Sequence, residues 1–144
     1  MSTLDALQTT LAGEHAAVYV FGALGGRTSE SASPGLFAAL RQGYDVHRAQ
    51  RDQLSRTVRD LGSEPVASAV SYEVTGPLGT AVDVQQAALT LERRCAAAYS
   101  FLVAQSVGDQ RRWALTALTG TAVRQLAVGG EPEAFPGIGE LAEP

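Results

Sequence analysis

The sequence predicts an all-α fold, a four-helix bundle with one long crossover between its second and third helices. Three observations point to it. Apolar residues recur at three- and four-residue spacing through most of the 144 positions. Capping residues and glycines punctuate that pattern into four long segments. Only one of the connections is too long for a hairpin. No alternating β pattern competes, although "VSYEVT" at 70–75 suits a short extended piece within a loop.

The first helix is expected near residues 3–25. Ser2 begins Ser-Thr-Leu-Asp, a capping-box start, and Gly25-Gly26 mark its end. Its inward stripe reads Leu4, Leu7, Leu11, Glu14, Val18 and Phe21, one acid in an apolar seam. The second helix, near 34–61, starts with Ser33 before Pro34 and closes at Gly62. Its stripe runs Phe37, Leu40, Tyr44, His47, Arg51, Leu54, Val58 and Leu61, so a phenol, an imidazole and a guanidinium interrupt hydrocarbon. Each of these is expensive to bury without a partner. The third helix, near 81–107, starts with the capping box of Thr80 and carries Ala88, Glu92, Cys95, Tyr99 and Leu102 on one stripe. The fourth, near 109–128, follows Asp109 and ends at Gly129-Gly130; one stripe of it reads Ala114, Ala117, Thr121, Arg124 and Val128.

Roughly eight residues join the first two helices and a turn joins the last two, so both pairs are expected as antiparallel hairpins. Between the second and third lie about eighteen residues containing Pro65, Gly76, Pro77 and Gly79. Extended, that segment spans about 60 Å, whereas a 25-residue helix is about 37 Å long. It can cross the whole bundle, which would make the second and third helices parallel. Residues 1–128 are thus expected to form the bundle and 129–144 an extended Gly/Pro-rich tail. Phe135, Ile138 and Leu141 are expected to pin the tail against the bundle or a partner.

Composition narrows the function classes. A chain with 45% hydrophobic residues and no run of about 18 apolar ones suits a single domain without a membrane span. The start "MSTLDALQTT" lacks a secretion signal, so a cytoplasmic protein is expected. The single cysteine, Cys95, excludes an internal disulfide and reads as a small buried thiol. All eleven basic residues are arginine, the net charge is −4, and no basic stripe suggests nucleic-acid binding. No nucleophile, base and orienting acid fall in a hydrolase pattern.

Counting from the hairpins brings the odd polar residues of all four helices to mid-bundle height. Glu14 lies level with the Tyr44 region, and Glu92 level with Arg124. This pattern resembles the ferritin-like di-iron site, in which two helices give one Glu each and the other two give Glu-x-x-His. Glu14, Glu92 and His47 match three of its positions. The motif of the second helix, however, reads Tyr44-Asp45-Val46-His47, and the fourth helix offers Thr121-Ala122-Val123-Arg124. More narrowly, "EHAAVYVFG", "YDVHRAQRD", "LERRCAAAYSFLVA", "TAVRQ" and "EAFPGI" resemble a family of uncharacterised bacterial ferritin-like proteins, a domain of unknown function. The resemblance implies the fold and brings no activity.

Two readings of the site follow. In the first, Glu14, Tyr44, His47, Arg51, Glu92, Tyr99 and Arg124 form a buried hydrogen-bonded ion network in place of metals. The protein is then a structural or interaction module with no cofactor. In the second, Glu14, His47 and Glu92 bind one Fe or Mn ion with Tyr44 as redox partner, giving an oxidase or peroxide-handling enzyme. Possible partners are a second copy, as in other paired bundles, another protein or a small ligand. His15 lies about 100° round the helix from Glu14 and should face away. Asp45, Arg48 and Asp52 read as a solvated face. "GALGG" at 22–26 is glycine-rich like a phosphate loop but closes a helix instead of following a strand.

Overall fold

A computed structural model describes residues 2–138. Four helices follow in order: α1 Thr3–Arg27, α2 Pro34–Asp60, α3 Ala81–Gln105 and α4 Gly108–Ala127. No strand forms among the described residues, and residues 70–75 are irregular.

The capping boxes at Ser2 with Asp5 and at Thr80 with Asp83 are both made. Two helix ends differ from expectation. Gly25 and Gly26 do not stop α1; it runs on to Arg27, where Thr28 caps the end with its amide on the Gly25 carbonyl and its hydroxyl on that of Leu24. At the other hairpin, α3 ends at Gln105, and Val107, not Asp109, is the capping position of α4. The chain reverses at Gly108, whose φ of 58° suits glycine best.

Side-chain pairs set the topology. Glu14 faces His47, and Phe21 lies against Gly43, so α1 and α2 are antiparallel. Thr3 donates to the Gln105 carbonyl at one end of α1, while Glu14 meets Tyr99 further along, so α1 and α3 are antiparallel too. Hence α2 and α3 run parallel, on opposite corners of the bundle, and residues 61–80 return the chain along its length. That crossover lies over α1. Gln8 bonds the backbone at Glu64 and Val66, His15 bonds the Val66 carbonyl, and the rings of Tyr19 and Tyr72 stand 5.7 Å apart. His15 therefore holds the crossover, away from the bundle centre.

The hydrophobic core is in two halves. One gathers Ala17, Phe21 and Leu24 with Leu40, Ala88, Leu91 and Val128; the other gathers Leu7 and Leu11 with Leu54, Val58, Tyr99, Leu102 and Ala114. Buried polar residues, Glu14, His47, Glu92 and Thr121, lie in the layer between them. Among the described residues no helix is long and apolar enough to cross a membrane.

The tail folds back on α3. Gly137, at φ 80°, comes so close that a Cβ there would collide with the Ala96 carbonyl, and Glu133 approaches Arg93 at 3.8 Å. The tail backbone thus approaches α3 closely, while Phe135, expected to pin it against the bundle or a partner, does not pack on the bundle and is 70% exposed. Ile138 is exposed as well, and Leu141 lies outside the described residues.

Gly43 is the tightest point of the α1–α2 contact, because the Phe21 ring occupies the space its side chain would take. Gly43→Ala gains roughly 1 kcal/mol of helix propensity, yet overpacking costs about 1–3 kcal/mol, so a net loss is expected in urea denaturation. A stabilised variant would mean that Phe21 can move aside freely.

Candidate functional site

At mid-height four helices each contribute to one polar cluster. His47 of α2 sits at its centre, fully buried. Its Nδ1 lies 2.7 Å from Glu14 Oε2 and its Nε2 lies 3.1 Å from Glu92 Oε1. The Tyr99 hydroxyl donates to the other oxygen of Glu14 at 2.6 Å. Arg124 of α4 donates from Nε to Glu92 Oε1 at 2.8 Å and from Nη2 to Glu92 Oε2 at 3.3 Å. The same Nη2 donates to the Thr121 hydroxyl at 3.1 Å, and that hydroxyl donates in turn to the Ala117 carbonyl.

Proton accounting assigns the charges. A carboxylate only accepts, so a neutral imidazole would satisfy one glutamate and turn a lone pair on the other. With both glutamates as carboxylates, both ring nitrogens carry hydrogen and His47 is an imidazolium. Burial, the largest influence, works against that charge, but the hydrogen bonds and charges of Glu14 and Glu92 prevail and raise the His47 pKa from 6.5 to about 9. Burial likewise pushes Glu92 up, but His47 and Arg124 prevail and hold it below the ordinary 4.5. Two acids then balance two cations, with no net charge buried.

Of the seven residues expected in this network, the structure brings together Glu14, His47, Glu92, Tyr99 and Arg124. Tyr44 and Arg51 are corrections. The buried line of α2 runs through Leu36, Leu40, Gly43, His47, Leu54 and Val58. At 100° per residue Tyr44 and Arg51 lie about 60° and 40° to one side of His47. Arg51 extends outward and pairs with its neighbour Asp52 at 2.7 Å. Tyr44 is only partly buried, lies under the Arg48 guanidinium and lines a cleft between α1 and α2.

Sequence reading assigned Cys95 no part in the site, yet its thiol is close to the carboxylate of Glu14 and the ring of His47. One ligand atom from each lies within 4.8 Å of the others. Burial first, then the two glutamate charges, push the thiol pKa well up, so it is a neutral neighbour. The signal was available: Cys95 shares a stripe with Glu92 and Tyr99 at three- and four-residue spacing. Tyr99, raised by burial and then by Glu14, also keeps its proton, and its ring meets Trp113 edge-on at 5.8 Å.

These donors do not fit a di-iron centre. Both His47 nitrogens are committed to carboxylates, Arg124 covers both oxygens of Glu92, and guanidinium has no lone pair to give. The geometry defines an all-α, single-crossover bundle with a charge-balanced ion cluster at its centre. The chain belongs to the DUF4439 family, a domain of unknown function, which it matches over residues 6–140. It is similar to the crystal structure of a conserved hypothetical protein, rv2844, from Mycobacterium tuberculosis. That likeness has 27% identity and a TM-score of 0.81, and covers 88% of this chain and 93% of the other. No curated protein matches the chain.

Two outcomes are expected. The raised His47 pKa contributes stability that is complete below pH 6.5 and is lost as pH rises through about 9, on the order of 3 kcal/mol. Denaturation across that window should show the fall, and His47→Gln should flatten it. Glu14→Ala should cost on the order of 3 kcal/mol in the same assay at pH 6, because it strips partners from a buried imidazolium and a buried phenol. An unchanged midpoint would show that the cluster is not coupled to folding.

Proposed function

We propose that this chain is a ferritin-like bundle in which His47 and Arg124 supply the positive charge that metal ions supply in di-iron relatives of the fold. On this reading it acts as a structural or interaction module and carries out no iron chemistry. The observation that supports it is the commitment of both His47 nitrogens, with Glu14 on one side and Glu92 on the other. A metal ion here would have to displace a proton from the imidazolium and break the Arg124–Glu92 ion pair. The second step would leave the Arg124 guanidinium, largely buried, without its carboxylate, which is unfavourable.

A second reading draws on the closeness of Glu14, His47 and Cys95. With Glu92 they could offer a single Fe or Mn ion carboxylate, imidazole and thiolate donors, and an oxidase or peroxide-handling role would follow. That reading requires an anionic thiol, whereas burial and two nearby acids favour the protonated one.

Elemental analysis of chelator-free protein, before and after anaerobic incubation with Fe(II) and Mn(II), separates the two. We expect no stoichiometric metal in either sample and no change in melting temperature. Near-stoichiometric metal that disappears in Glu14→Ala or His47→Ala would overturn the proposal and support the enzyme.

A further inference from the structure

An open cleft of about 190 Å³ lies between the last third of α1 and the first half of α2. Phe21, Phe37, Leu40 and Tyr44 wall it, Gly22 and Gly25 line its α1 side, and Arg41 stands at its edge. This is where the unexplained "GALGG" stretch falls. Glycine weakens a helix relative to alanine, so three within its last six residues need a reason. Crowding does not supply one at Gly25, where an added Cβ would meet nothing within 4 Å. At Gly22 it would reach only ordinary contact with the Tyr44 ring, at 3.5 Å. A side chain at Gly25 would fill the cleft instead, so its absence keeps the space open.

Size and chemistry narrow what the space accepts. Drug-sized ligands need upwards of about 300 Å³, whereas a cavity of about 150 Å³ lined by Leu, Ile and Phe holds benzene. The walls here suit one ring or a short branched chain. The polar side chains of the lining, Arg41 and Tyr44, can both donate hydrogen bonds. Arg41 makes no ion pair or hydrogen bond among the described residues, although Asp45 follows one turn later on the same helix. The Tyr44 hydroxyl is likewise unbonded among them, and its ring carries the Arg48 guanidinium 5.6 Å from its centre, outside the cleft lining. A guanidinium fork beside a phenol recognises a carboxylate.

We propose that this cleft binds a small carboxylic acid with a single aromatic ring or branched aliphatic body, its apolar part between Phe21 and Phe37 and its carboxylate on Arg41 and Tyr44. The site is separate from the ion cluster and does not depend on whether that cluster holds metal. The two are adjacent nonetheless. The ring of Phe21 lines the cleft and also stands 5.0 Å from the His47 imidazole, so occupancy should be visible at His47.

Phenylacetate is a suitable probe and phenylacetamide its neutral counterpart. In NMR titrations of the full chain, phenylacetate should shift signals of residues 21–25, 37–44 and the His47 ring saturably, with a Kd of about 1 mM or below. Phenylacetamide, or the surface variant Arg41→Gln, should weaken binding at least about five-fold, the scale of one exposed charge-assisted contact. Gly25→Leu should abolish it while leaving the His47 hydrogen-bonded proton signals in place. Absence of saturable shifts up to about 10 mM would overturn the proposal. Equal binding of acid and amide, unchanged affinity in Arg41→Gln, or shifts centred elsewhere, such as around Trp113, would do the same.

Discussion

A histidine held at both ring nitrogens by glutamates from two other helices is the constraint on which this bundle turns. His47 fixes α2 against α1 through Glu14 and against α3 through Glu92, and Arg124 brings in α4 through the same Glu92. A slide of any helix by one turn, about 5.4 Å, would break these contacts and strand a buried charge. Hydrocarbon packing alone is far more forgiving of such a slide, because Leu and Ala recur at the same spacing on every helix. The two apolar halves of the core supply the driving force for burial, and the ionic layer between them specifies how the helices are set against each other.

The same layer is closed on itself electrostatically. Its acids and cations are equal in number, Tyr99 and Cys95 keep their protons, and no donor of the central imidazole is left over. Catalytic centres keep an open coordination position or a group poised near neutrality. Among the described residues the group whose titration is displaced close to the physiological range, His47, is held cationic by its neighbours.

Much of this was legible in the sequence because helix punctuation and apolar periodicity agreed. The four helices, the hairpins and the crossover length follow from caps, glycines and counting, and so does the placing of Glu14, Glu92 and Arg124 on inward stripes. Tyr44 and Arg51 show the limit of stripe counting. A three-four pattern admits residues up to 60° from its centre line, and only the position of neighbouring helices decides which of these are core. Gly43 was the missed cue, since a buried glycine on the same helix marks the true line, where Phe21 needs the space. The end of α1 was misplaced because glycine permits a left-handed turn without requiring one, whereas α3 stops short of its glycine because the backbone is already extended at Ser106. Gly25 and Gly26 stay helical, while Gly62 and Gly108 take positive φ. Phe135 was read by hydrophobicity as an anchor to the bundle or a partner; it does not pack on the bundle, and the tail comes closest to α3 at Gly137, an approach that no hydropathy pattern reports.

Side-chain NMR of ¹⁵N-labelled histidine, followed from pH 6 to pH 10, would read the protonation of His47 itself. His47 should carry protons on both ring nitrogens at pH 7, each coupled across a hydrogen bond, and lose one only near pH 9. A neutral imidazole at pH 7, with one nitrogen unprotonated, would contradict it and return that lone pair to the list of metal ligands.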